Sequence, residues 1–124
     1  MSEGSLCQEK YDADLAAAAE KFDVIKGTST TLLIDLDTPE AKAQYERVLP
    51  KVVENFAVVS TQSWLSKSGN THVLITLAEP LSPPWRLALQ AALGSDGIRE
   101  VLGLKRYENG IPEPSALFKP KETT

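Results

Sequence analysis

The sequence predicts a single α+β domain, and three observations carry that reading. Thr30 to Asp37 and Thr71 to Leu77 alternate side chains with the two-residue period of a strand. Tyr11 to Ile25 and Thr38 to Phe56 instead repeat their apolar residues at the three- and four-residue steps of a helix. Finally, 124 residues with 42% hydrophobic and 24% charged content suit one ordinary core and leave no room for a second.

Residues 1 to 10 read as a loose tail. Leu15, Ala18, Ala19, Phe22 and Ile25 predict a helix over 11 to 25, closed by Gly27. In the strand that follows, Leu32, Ile34 and Leu36 face one way and Leu33, Asp35 and Asp37 the other. A helix enters at Thr38-Pro39-Glu40, where proline is tolerated in the first turn. Its stripe is Ala41, Tyr45, Val48, Leu49, Val52, Val53 and Phe56, with a break expected near Leu49 because Pro50 follows. Ala57 to Leu65, the turn Ser66 to Asn70 and Thr71 to Leu77 predict a hairpin. Ser82-Pro83-Pro84 opens a helix with Trp85, Leu87, Leu89 and Leu93 on its core side. Ser95 or Asp96 caps a further helix carrying Ile98, Val101, Leu102 and Leu104. Ala116 to Phe118 is a short last strand, and residues 119 to 124 are a tail.

After the first helix the order is β-α-β-β-α-(α)-β. That is the order of the ferredoxin-like split βαβ unit, also used by RNA-recognition modules, here with an extra N-terminal helix and spanning residues 11 to 118. In that layout Asp35 and Asp37 share an open sheet face with His72 of the neighbouring strand.

Charge and cysteine content exclude several functions. Thirteen Lys+Arg against seventeen Asp+Glu leave a net charge of −4, which argues against holding nucleic acid by bulk electrostatics. The lone Cys7 offers no internal disulfide and no cysteine zinc site. A reducing, cytoplasmic home is expected, with no secretory start and no membrane-spanning run. Walker, dinucleotide and nucleophile-elbow patterns are absent.

Asp35 and Asp37, at i and i+2 on one strand, point the same way and can jointly hold Mg²⁺ or Mn²⁺. Alternatively, Asp37 with Glu40 caps the next helix and Asp35 is merely solvated. His72 follows the small-residue turn Ser68-Gly69-Asn70-Thr71, which lets a phosphate approach, with Ser66 and Lys67 beside it. The same turn also reads as a plain hairpin loop. Asp96 is either a helix cap or a third metal carboxylate. Arg99, Lys105 and Arg106 either offset phosphate charge or form the polar face of a helix. Trp64 and Tyr107 either stack on bases or pack.

Asp35-Leu36-Asp37 closing an apolar strand, then Ser68-Gly69-Asn70-Thr71-His72 opening a later one, resembles the archaeo-eukaryotic primase superfamily, in particular its phage and plasmid primase-polymerase branch. The stretch Leu89 to Glu100 also looks like a segment of small phage-encoded proteins of this type. The resemblance spans residues 30 to 118. It implies catalytic metals on Asp35 and Asp37, and a contact from His72 to the phosphates of a nucleoside triphosphate. It further implies DNA or RNA as substrate, and a host-cytoplasm setting if the protein is phage-encoded. The superfamily's third aspartate motif has no clear match, Asn70 stands where serine is frequent, and complete primases are larger. The acidic net charge does not favour autonomous template binding, so a partner replication protein or a homo-oligomer is expected. A non-catalytic nucleic-acid-binding module, a metal-dependent nuclease and a protein-interaction domain are the rival readings on the same fold.

Overall fold

The computed structural model of the chain describes residues 3–121, with side chains described from Gln8 onward. Its order is α1 (Glu3–Ala19), β1 (Phe22–Lys26), β2 (Thr31–Leu36), α2 (Pro39–Asn55), β3 (Val58–Leu65), β4 (Thr71–Leu77), α3 (Pro83–Ala92), α4 (Gly97–Glu108) and β5 (Ala116–Pro120). The fold is α+β, with the expected β-α-β-β-α-β core behind an N-terminal helix.

Strands β2, β4 and β3 form one antiparallel sheet in that spatial order, so β4 lies between the two strands joined by α2. This is the split βαβ arrangement. The alternation in β2 and β4 does the work the sequence assigned to it. Leu32, Ile34, Leu36, Val73, Ile75 and Leu77 form one buried cluster with Val52, Leu89 and Leu93, and α2 adds Tyr45, Val48 and Leu49. Each such side chain contributes roughly 1.5–3 kcal/mol on leaving water, so this face dominates the fold.

Helix α2 begins where Thr38 accepts a hydrogen bond from the Ala41 N–H, with Pro39 in the first turn. Thr38 is thus the cap, and Asp37 is not. The helix also runs unbroken through Pro50 to Asn55, where a break was expected near Leu49. Pro50 is exposed, and the buried Val52 two residues along anchors the helix beyond it. Gly94 ends α3 at φ +95°, and a Cβ there would stand 2.5 Å from the Ala41 carbonyl oxygen. Only glycine permits α2 to approach the α3 terminus this closely.

Four expectations are corrected. Residues 3 to 10 belong to α1 and not to a loose tail, while residues 1 and 2 lie outside the described residues. The first helix stops at Ala19, and Phe22–Lys26 is a strand paired antiparallel with β5. Phe22, Val24 and Ile25 are strand formers, and their pairing partner lies some ninety residues away, beyond any local signal. Strand β5 continues to Pro120, leaving only 122 to 124 of the expected tail outside the described residues. It pairs with β1 and not as a fourth strand beside β2.

The fourth correction concerns the last two helices. Trp85, expected in the core, is 59% exposed, and the apolar Ile98 and Val101 of α4 are 70% and 66% exposed. Helix α4 buries Glu100 and Gly103 instead, and α3 buries Arg86 and Gln90. The outer edge of β2 explains this inversion. Its Leu33 N–H donates to Gln90 Oε1 at 2.9 Å, its Asp35 N–H to Ser95 Oγ at 3.0 Å, and its Leu33 carbonyl accepts from Arg99 Nη1 at 3.0 Å. The Asp35 carbonyl accepts from the Asp96 N–H at 3.1 Å. Leaving such groups unpaired in the interior costs about 1–3 kcal/mol each. Four of them outweigh the burial forgone at Ile98 and Val101.

The opposite face of the sheet is not open. Leu33 is fully buried, as are Leu117 and Ile111, and His72 is only 7% exposed. The β1–β5 ribbon lies against this side: Trp64 Nε1 donates to the Phe118 carbonyl at 3.4 Å, and Arg99 Nη2 to the Ala116 carbonyl at 3.1 Å. Among the described residues, no helix is long and apolar enough to cross a membrane.

Candidate functional site

Register places Asp35 of β2 directly across from His72 of β4, and Trp64 of β3 across from His72 on its other side. Side chains opposed in this way share a face, so three alternating strands build one row. His72 Nε2 lies 3.4 Å from Asp35 Oδ1, and the Trp64 ring meets the imidazole edge-on at 5.9 Å. At 3.4 Å the Asp35–His72 contact is long for a hydrogen bond. Buried Asp35 Oδ1 and, on the other side of the imidazole, His72 Nδ1 have no hydrogen-bond partner among the described residues. The imidazole is the largest influence holding the Asp35 carboxyl below the ordinary 3.8, against the opposing effect of burial, with Arg99 and Asn70 adding to the depression.

The hairpin turn sits above this pair. Ser66 N–H donates to the Asn70 carbonyl at 2.8 Å, and Gly69 N–H to the Ser66 carbonyl at 3.0 Å. Gly69 adopts φ +91°, which closes the turn without strain. Ser66 Oγ accepts from the Asn70 N–H and lies 3.0 Å from Ser68 Oγ. Between turn, strands and ribbon lies a cleft of about 350 Å³, lined by Phe22, Asp35, Ser66, Lys67, Ser68, Asn70, His72 and Phe118. A small-ligand site of this size is ordinary.

Five candidate residues thus meet in one cleft: Asp35, Ser66, Lys67, Ser68 and His72. The other candidates lie elsewhere. Asp37 is exposed one residue beyond the end of β2 and does not line the cleft. Asp96 has its backbone against Asp35, but its carboxylate accepts from the Ile98 N–H and caps α4. Arg106 lies over the Tyr11 ring at 5.3 Å, on the α1 side of the molecule. Arg99 bridges β2 to β5 and pairs with Glu100, a structural duty in place of a phosphate contact. Tyr107 is on the surface of α4. Among the described residues, no three His, Cys, Asp or Glu side chains gather as a metal-holding group.

Two lining residues escaped the sequence reading. Phe22 reads as part of a helical stripe, and Phe118 as the end of a short strand. Their rings stack at 5.8 Å with 24° between planes, because β1 and β5 pair with Val24 opposite Phe118. The run Phe22-Asp23-Val24-Ile25 carries a weak strand signal, but nothing local assigns it a partner.

No protein-family model matches this chain, and neither a curated protein nor a solved structure matches it.

Proposed function

We propose that the Asp35–His72 cleft is the metal-and-phosphate site of a minimal primase-polymerase-like domain, which binds a nucleoside triphosphate and DNA or RNA. The observation that supports this best is the cross-strand opposition of Asp35 and His72 beneath the Ser66–Asn70 turn. The donor set suits Mg²⁺ or Mn²⁺: Asp35 is held ionised and keeps a buried oxygen without a partner, and Asp37 is free of the cap. Such ions commonly take one or two carboxylates and complete their shell with phosphates and water. When bound, the metal would neutralise phosphate charge and favour attack by a 3′-hydroxyl. Asp35 and Asp37 would hold the cation, Asp37 from its exposed place one residue beyond β2. His72 would face a phosphate oxygen, and Ser66, Ser68 and Lys67 would donate to the remaining phosphates.

A non-catalytic binding module is the second reading, favoured by one observation: the Asp96 carboxylate is spent on the α4 cap, so no third carboxylate is at hand. One experiment addresses both. Millimolar Mn²⁺ with a nucleoside triphosphate raises the melting temperature of the wild type, and Asp35→Asn abolishes the rise. An unchanged melting temperature in the wild type would sink the metal-site reading. Primer synthesis on a labelled template then marks a polymerase, template shortening marks a nuclease, and binding without either marks the plain module.

A further inference from the structure

The cleft is chemically divided. Part of its lining is polar, the side chains of Ser66, Lys67, Ser68, Asn70, His72 and Asp35, and part is aromatic, the Phe22–Phe118 pair. Phe118 is 37% exposed while stacked on Phe22, so its ring lines a cavity instead of filling a core. It is also held firmly. The Phe118 carbonyl accepts from Trp64 Nε1, the adjacent Lys119 ammonium lies over the Trp64 ring at 5.6 Å, and Arg99 ties β5 to β2 through Ala116. A fixed aromatic ring beside a cluster of anion-binding groups matches a ligand with a flat ring at one end and phosphates at the other.

We propose that Phe118, backed by Phe22, is a stacking platform for the base of a nucleotide whose phosphates meet the Ser66–Asn70 turn. This rests on the phosphate reading of the cleft and adds the half of the ligand that reading leaves undefined. The base is held by its π-face alone. The Phe22 and Phe118 rings offer no side-chain hydrogen-bond donor or acceptor. Recognition should therefore tolerate all four bases, as stacking on aromatic side chains does elsewhere.

The test compares inorganic tripolyphosphate with the four nucleoside triphosphates, each with Mg²⁺, by titration calorimetry on the full chain. The expected result is that all four nucleotides bind roughly tenfold or more tightly than tripolyphosphate. Phe118→Ala should remove that preference and leave tripolyphosphate affinity unchanged, which also reports that the cleft remains folded. Phe118→Trp should retain the preference. If tripolyphosphate and nucleotides bind the wild type equally, the platform is refuted while the phosphate site stands. A parallel loss of both affinities in Phe118→Ala would assign Phe118 a structural role and overturn the proposal. Should neither ligand bind the wild type, the phosphate reading fails and the platform falls with it.

Discussion

The two long edges of the three-stranded sheet are finished in opposite ways. On the β2 edge, a polar cluster from α3, α4 and the loop between them takes the place of a neighbouring strand. Gln90, Ser95 and Arg99 occupy the Leu33 and Asp35 backbone groups, and Glu100 accepts from all three side chains. The β3 edge has no partner strand among the described residues, and the eight residues Val58 to Leu65 include no charge and no proline. The contrast teaches where the molecule places its polar costs. Three backbone groups are satisfied by the Gln90, Ser95 and Arg99 side chains and a fourth by the Asp96 N–H, whereas β3 leaves its outer edge to water.

The largest predicted effect breaks the sealed edge. Arg99→Ala removes the donor to Leu33 and Ala116 and leaves Glu100 buried without its cation. A loss of about 3–5 kcal/mol is expected in urea unfolding. Gln90→Ala orphans the Leu33 N–H and removes one donor to Glu100, and should cost about 1–3 kcal/mol by the same measurement. If either variant unfolds like the wild type, the cluster is not what closes the edge.

A pH series sharpens the same comparison through two carboxyls of opposite sign. Burial pushes Glu100 above the ordinary 4.5, against the pull of Arg99, Gln90 and Ser95. The folded state therefore holds this proton longer than the unfolded chain does. Its stabilising contribution is complete below the unfolded value and lost as pH rises through the folded one. Asp35 is depressed, so its contribution is present above the unfolded value and lost as pH falls through the folded one. Unfolding free energies across about pH 3 to 7 should therefore give opposite slopes. Wild type minus Glu100→Gln should decrease with rising pH, and wild type minus Asp35→Asn should increase. Slopes of the same sign would show that the two sites are not electrostatically distinct.

The smallest effect belongs to the open edge. Gln62→Lys places a charge on exposed β3 and should leave stability within about 0.5 kcal/mol. A larger loss would mean that this edge is covered in solution.

The candidate site divides along similar lines. Asp35 opposite His72 was legible because strict alternation in two strands fixes facing, and a hairpin next to β2 fixes neighbours. The turn residues Ser66 to Asn70 were legible from composition alone. Asp37 was not: pattern puts it on the Asp35 face, but the strand ends at Leu36 and Thr38 takes the cap. Arg99 and Arg106 read alike as basic residues of one helix, yet one is built into the interior and the other lies over Tyr11. Nothing in their neighbours' identity separates them.

By itself, then, the sequence determined the α+β class, the core face of β2 and β4, and the caps at Thr38 and Asp96 within a residue. These follow from periodicity and from hydrogen bonds made within a few residues. Tertiary structure decided the pairing of β1 with β5, the outward turn of Ile98 and Val101, and the aromatic wall of the cleft. Each depends on groups distant in the chain. Buried backbone at Leu33 and Asp35 had to find partners, and the side chains that reached them came from α3, α4 and the loop between.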